Sequence, residues 1–496
     1  MTRPARLIVG PIVALSALAL TFTPTSAQAD PLPTLTDSAL ATKLASVLKD
    51  SRVTKATAVG VVVADYASGK QLYTRSSTTA VSPASNMKMV TAAAALDLLG
   101  PSRTFSTAAY SLAKPANGVV SKIYLRGYGD PTLHESDLIA MAKQVKAAGV
   151  TKVSGSVIGD GGYFDTDLYN NYWDPDDYNS SYAAQVYGLT LSPSSALLSG
   201  TIQISYQPGS STGAKAKLGV VPASATSLVK LVNKTTTTSA GSGAAISVKR
   251  TKGTNTITVS GRVALKRSKV LRTVTVSNPA RYAAHVFTSA LRSVGVSVSG
   301  SPTTGRVPSK RVTLATDKSV PLSTIVNWLM KPSNNAMTES LIKTMGRVSG
   351  KPGTWAAGAA AVKRWLGRTQ TLPANVVIAD GSGLAHRNKL TARVLTRLLK
   401  YVQAKSWFST FYNSLPVAGH PNSAIGGTLS QRMVGTAAAY NLRAKTGTLS
   451  GVTALSGYVT DRSGRRYIFS MLGRYTYSSP RIVFDKVGAT LAGWTS

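Results

Sequence analysis

Apolar positions along the chain recur with two different periods, and the changes of period divide it. Leu40, Leu44, Val47 and Leu48 stand at helical spacing and predict an amphipathic helix within 30–50. The β-rich run Ala58-Val-Gly-Val-Val-Val-Ala64, a turn at Ser68-Gly69 and a returning Gln71-Leu-Tyr-Thr74 predict a strand pair. An Ala-rich helix over 85–99 follows, stopped by Gly100-Pro101. Residues 120–160 read as strand, helix, strand, and a strand and helix recur over 272–300. Between them lie Ser/Thr/Gly-rich short strands such as 201–206 and 256–260. From 305 the helical period returns at 322–330, 336–345 and 356–366, and the chain closes on strands at 442–449, 453–459 and 467–472. Helices with antiparallel strands, split by a large insert, predict an α+β class with nested inserts.

The first 29 residues have a different character. Arg3 and Arg6 precede the apolar run 7–22, and Ala27-Gln28-Ala29 offers a small-residue cleavage site. A secretory signal peptide with a mature start at Asp30 is therefore expected. No later stretch is apolar and long enough to span a bilayer, so no integral membrane span is expected after signal removal. The 496 residues contain no cysteine, which excludes disulfides and thiolate chemistry. The four histidines, His134, His285, His386 and His420, have no metal-ligand spacing, so neither a metal nor a cofactor is expected. The net charge of +37 points to polyanions. For an exported chain these are anionic wall polymers. Nucleic acid is not expected as a partner, because the Lys and Arg are scattered and no nucleic-acid motif is present.

Three short motifs then stand in order: Ser85-Asn86-Met87-Lys88, Ser333-Asn334-Asn335 and Lys445-Thr446-Gly447-Thr448. A serine hydroxyl needs a base to become a nucleophile. Ser85 and Lys88, three apart, share a helix face, and burial or neighbouring positive charge lowers a lysine enough to act as that base. The start of the helix directs the Ser85 amide toward a developing oxyanion. Ser333 is suited to relay a proton and Asn335 to hold a peptide backbone. Lys445 to Thr448 has the pattern of an edge strand against which an extended peptide can lie, with Gly447 clearing space and Lys445, Thr446 and Thr448 suited to a terminal carboxylate.

These motifs, with Leu125-Arg-Gly-Tyr-Gly-Asp-Pro-Thr-Leu133, Met330-Lys-Pro-Ser-Asn-Asn335, Asp380-Gly-Ser-Gly-Leu384 and Gly427-Thr-Leu-Ser-Gln-Arg-Met433, resemble the class C low-molecular-mass penicillin-binding proteins, the S13 type of D-Ala-D-Ala carboxypeptidase/endopeptidase. The resemblance implies a transpeptidase/β-lactamase-like domain (30–103 and 305–496), an insert (104–160 and 266–304) and a mostly β insert within it (161–265). It implies Ser85 as acylated nucleophile, Lys88 as base, Ser333 and Asn335 as the second wall, and Lys445, Thr446, Gly447 and Thr448 at the substrate carboxylate. The backbone N–H groups of Ser85 and Thr448 form the implied oxyanion hole. The implied partners are peptidoglycan peptides ending in D-Ala-D-Ala and β-lactam antibiotics. One departure bears on side-chain recognition: the Asp380 stretch continues Ala385-His386-Arg387, where the family usually has Ser-Arg. His386 or Arg387 is a candidate contact for the substrate side chain, and an acid near Asp174, Asp176 or Asp177 for its free amine.

Other readings keep a place. A β-lactamase or esterase on the same fold needs a water-activating glutamate or its equivalent. The chain has two glutamates, Glu135 in the insert and Glu339 after Ser333, neither in the sequence setting of a deacylating residue. A non-catalytic wall-binding protein has no use for the full motif set. A Ser-His-Asp hydrolase finds only Ser382 between glycines, without the nucleophile-elbow spacing.

Overall fold

A computed structural model describes residues 35–193, 197–370 and 372–496; the expected signal peptide and cleavage site lie outside the described residues. The central element is a five-stranded antiparallel sheet in the order Arg443–Leu449, Val452–Thr460, Arg466–Arg474, Ala58–Asp65, Gln71–Arg75. The first strand of the chain thus pairs with the last, Ala58 opposite Arg474. Alternation along the strands sends side chains to two different cores. Val59, Val61, Val63, Leu455, Phe469 and Met471 face the helices Leu35–Val47 and Arg481–Gly493. Ala454, Tyr458, Ile468 and Leu472 face the larger helical layer.

That layer is built around the helix Met87–Leu99, in which every residue from Met87 to Leu96 is buried. A helix apolar on all sides belongs inside a protein. Its alanines let the helices Asn335–Val348, Trp355–Thr369 and Leu322–Met330 pack closely against it. Among its buried residues one is charged: Lys88.

The inserted chain forms a second five-stranded sheet, in the order Thr303–Thr304, Val157–Asp160, Ile123–Gly127, Ser106–Ser111, Val312–Lys318. The helices Glu135–Ala147 and Pro279–Ser293 pack against each other and against this sheet. Two three-stranded sheets lie further out: Lys230–Thr238, Thr256–Ala264, Ala245–Arg250, and Val270–Thr275, Thr201–Gln207, Lys217–Val221.

The strand pairing draws lines that composition did not. Val270–Thr275 pairs with Thr201–Gln207, so the outer β unit continues past 265. Val312–Lys318 pairs with Ser106–Ser111, so the insert sheet continues past 304. Residues 161–192 carry no strand. They return to the main body, where Phe164, Trp173, Ala183 and Val186 join the core around the helix Met87–Leu99.

Candidate active site

The nucleophile turn begins at Pro83. Ala84 takes a left-handed conformation (φ +44°), and a 3-10 turn over Ala84–Asn86 leads into the helix. Ser85 is therefore held on a tight turn just before the α-helix, half-buried. The Nζ of Lys88 lies 2.9 Å from the Ser85 Oγ and donates to the Ser382 carbonyl at 2.8 Å. Lys88 is fully buried, and burial pulls its pKa from 10.5 to about 7 against the opposing charges of Glu339 and Asp380. The two contacts and the lowered pKa describe an amine able to take the serine's proton.

The strand Arg443–Leu449, at the sheet edge, reaches the same turn. The Asn86 side chain donates to the Lys445 carbonyl at 2.9 Å. Gly447 lies so close that a Cβ there would stand 2.7 Å from the Pro83 carbonyl oxygen and 3.1 Å from the Ala84 Cβ, so only glycine lets the strand approach. Lys445 is fully buried. Burial, then the neighbouring Lys88 and Arg432, hold its pKa well below the ordinary lysine range. Thr446 is buried beside it, and Thr448 is exposed at the strand's open side.

The third motif sits on the turn between the helices Leu322–Met330 and Asn335–Val348. Ser333 has a left-handed backbone (φ +65°) and is half-buried. Asn334 caps the following helix by accepting from the Met337 amide at 3.1 Å. The turn is tied to the edge strand in two steps. The Thr428 amide donates to the Lys331 carbonyl at 3.1 Å, and the Thr428 and Thr446 hydroxyls are 2.7 Å apart. Beside this bridge lies a cleft of about 800 Å³, lined by His134, Trp328, Lys331, Pro332, Gly427 and Thr428 among others.

The Asn335 amide donates to the Tyr182 carbonyl at 2.8 Å. Tyr182 in turn donates through its hydroxyl to Asp177 at 2.5 Å. The acidic loop is thereby joined to the second motif. Asp174 accepts from the Asp176 amide at 2.9 Å, and the Asp176 side chain is exposed. Arg387 is exposed and stacks over Tyr172, 4.6 Å from the ring centre. His386 is exposed. Ser382 is fully buried; its hydroxyl accepts from the Leu384 amide at 3.2 Å, and its carbonyl turns toward Lys88.

Sequence reasoning missed the floor of the site. Glu339, fully buried, accepts from the Trp355 indole at 2.7 Å and from the amides of Gly381 at 3.1 Å and Ser382 at 2.7 Å. Asp380, also fully buried, accepts from the Trp173 indole, the amides of Gly383 and Ala385, and Asn388. The one available signal was the glutamate's position on the buried face of the helix, six residues after Ser333. Among the described residues no group of three or more His, Asp or Glu could hold a metal ion.

This arrangement of serine, lysine and edge strand is that of an acyl-transfer enzyme, and comparison with known proteins is decisive. The model of the family described as D-Ala-D-Ala carboxypeptidase 3 (S13) matches residues 40–481. The chain belongs to this family. The D-alanyl-D-alanine carboxypeptidase of Actinomadura sp. strain R39 is 38% identical over 438 residues, covering 87% of this chain and 81% of the relative. The D-alanyl-D-alanine carboxypeptidase DacB of Haemophilus influenzae is 24% identical over 394 residues, 78% of this chain and 79% of the relative. The crystal structure of penicillin binding protein 4 (dacB) from Haemophilus influenzae superposes with a TM-score of 0.76 at 22% identity, covering 90% of this chain and 98% of that one. As a serine-type D-Ala-D-Ala carboxypeptidase with this fold, the chain has its S13 motifs where the geometry above assembles them.

Proposed function

We propose that the protein removes the terminal D-alanine of peptidoglycan stem peptides, and opens cross-links between them, through an ester on Ser85. The contact between Ser85 and the buried Lys88 carries this reading. In the first step the Ser85 Oγ attacks the carbonyl of the penultimate D-alanine, and its proton passes to Lys88 Nζ. The oxyanion is met by the amides of Ser85 and Thr448. Ser333 relays the proton from Lys88 to the departing amine, the C–N bond breaks and the acyl-enzyme remains. Water then attacks the ester, Lys88 takes its proton, and the serine hydroxyl is restored. The leaving residue's carboxylate lies against Lys445, Thr446 and Thr448. Its negative charge opposes the burial and like-charge repulsion that lower Lys445.

β-Lactams acylate Ser85 in the same way in this reading, and the ester persists. A hydrolytic glutamate must hold a water beside the ester, but Glu339 is fully buried and its carboxylate is turned to the Trp355 indole and the Gly381 and Ser382 amides. Glu135 stands at the start of an insert helix. The β-lactamase alternative therefore lacks its water-activating acid. Mass spectrometry of the penicillin-treated protein, with the adduct on Ser85 and lost in Ser85→Ala, tests the reading alongside D-alanine release from a peptide ending in D-Ala-D-Ala. An adduct elsewhere, or release undiminished in Ser85→Ala, would overturn it.

The endopeptidase side is supported by the cleft beyond Thr446 and Thr428. Its volume of about 800 Å³, beside the Thr428–Thr446 bridge, has room for more than one alanine. Trp328, part-exposed on its wall, offers a surface to the amine-side peptide of a cross-link. Trp328→Ala is expected to lower cleavage of cross-linked dimers about tenfold relative to pentapeptide; equal losses on both would remove this assignment. Asp177, tied to Asn335 through Tyr182, and Arg387, stacked over Tyr172, are the favoured contacts for the stem peptide's third side chain, with Asp176 and His386 as further candidates. An extracytoplasmic location follows from these substrates. The net charge of +37 suits anionic wall polymers there. No helix among the described residues is long and apolar enough to cross a membrane.

A further inference from the structure

Beneath the reacting groups lies a buried carboxylate that touches neither the serine nor the place of the substrate. Glu339 lies on the helix Asn335–Val348, which starts at the second motif. Its Oε1 accepts from the Ser382 amide, and its Oε2 from the Gly381 amide and the Trp355 indole. The same peptide stretch carries the Ser382 carbonyl that accepts from Lys88 Nζ at 2.8 Å, while the Gly381 carbonyl accepts from Thr91, one turn along the helix from Lys88, at 2.7 Å. Gly383 presses the loop against the nucleophile turn: with φ +84°, a Cβ there would collide with the Ala84 carbonyl. The loop is thus pinned from three sides, and its Ser382 carbonyl is turned to the lysine.

We infer that Glu339 is a positioning residue for the lysine base: it braces the consecutive amides of Gly381 and Ser382 so that the Ser382 carbonyl holds Lys88 Nζ against Ser85, and it places a negative charge beneath that amine. The assignment rests on Lys88 acting as base, as proposed above. The charge has a definite sign of effect. Lys88 is faced by Glu339 from its helix, Asp380 from the loop and Lys445 from the edge strand, with Arg432 next to Lys445. Glu339 itself is faced by Asp380 and by Lys343, which pairs with Asp165 at 2.7 Å. Burial, then Asp380, raise Glu339 above the ordinary carboxylate range, while its three donors favour the charged form. Its negative charge raises Lys88, so deleting it must lower Lys88 further.

Glu339→Gln separates these effects. Glutamine sets an NH2 group against at least one of the three donors and removes the charge. The expected result is acylation by a fluorescent penicillin slowed about tenfold to a hundredfold. The acid limb of its pH profile should move down by about one unit. The adduct should still map to Ser85 at long incubation. Glu339→Asp keeps the charge but is a methylene short of spanning both amides and the indole. It should slow acylation while leaving the acid limb where the parent has it. A purely structural glutamate would lower the melting temperature of either variant and leave rate and limb unchanged; that result, or a limb that moves upward in Glu339→Gln, overturns the inference. Failure of the parent protein to form a Ser85 adduct would instead overturn the reading on which it rests. If Glu339→Gln does not fold, parent acylation kinetics in Glu339→Asp decide against the bracing role.

Discussion

The pH dependence of acylation follows from where Lys88 sits. An ordinary lysine, at 10.5, would be neutral in about one molecule in three thousand at pH 7. Burial brings Lys88 to about 7, which makes it neutral in about half the molecules and supplies roughly a thousandfold more of the reactive form. The sign is fixed: the base is lost as pH falls. Each unit below about 7 should cost close to a factor of ten, so at pH 5 about one molecule in a hundred remains competent. Substitution by arginine keeps a cation that does not deprotonate in this range. Lys88→Arg should therefore acylate about 10³-fold more slowly than the parent at pH 7. The assay is the second-order rate of labelling by a fluorescent penicillin, followed by stopped flow or timed gels from pH 5 to 9. A rate that is level from pH 5 to 8, or a Lys88→Arg protein within tenfold of the parent at pH 7, would refute the reasoning.

Two further substitutions probe the supports of the site. Gly447→Val drives a side chain into the Pro83 carbonyl and Ala84, and should slow penicillin acylation about a hundredfold while the far-UV spectrum stays that of the parent. Asp165→Ala leaves the fully buried Lys343 ammonium without its 2.7 Å partner and should cost about 3 kcal/mol in denaturant unfolding. Adding Lys343→Met to it should restore most of that loss, and a double variant no more stable than Asp165→Ala would show that the ion pair is not the source.

The legible parts of the molecule were those whose signal is local. The three motifs were visible because each is a contiguous run, and the closing strands because three β-rich runs are marked off by turns; they form Arg443–Leu449, Val452–Thr460 and Arg466–Arg474. The nucleophile helix begins at Met87, after a 3-10 turn whose entry Ala84 holds at positive φ, a strain no side-chain pattern encodes. The partners of Lys88 were not legible. A carbonyl 294 positions away is a backbone group, and any residue type supplies one. Nor was the inward return of residues 161–192, assigned from sequence to the start of the mostly β insert, where Trp173 bonds to Asp380 and Tyr182 to Asn335. Insert boundaries drawn at composition shifts missed Val270–Thr275 and Val312–Lys318, because strand partners are set by contacts made about 65 and 200 residues away.

The inserted chain does more than cover the cleft. It meets the site wall at four separate points: Asp165 to Lys343 at 2.7 Å, Asn170 to the Ala379 carbonyl at 3.1 Å, Trp173 to Asp380 at 2.9 Å, and the Tyr182 carbonyl to Asn335 at 2.8 Å. Two of these land on the stretch 379–382, and Asp380 is one of the two carboxylates whose charge opposes the burial of Lys88. The Trp173 indole holds that carboxylate in place beside the loop that contacts Lys88. Lys343 lies under Trp355, 3.6 Å from the ring centre, and the same indole donates to Glu339. Each carboxylate beneath the lysine is therefore held in part by an aromatic residue that the insert either contributes or buttresses. In a dry pocket, fixed donors of this kind replace the reorganising water that would otherwise set a lysine's acidity. The insert thus takes part in positioning the carboxylates and the loop beneath Lys88, and in the proposed reading the site belongs to the assembled chain rather than to the central sheet and its helices alone.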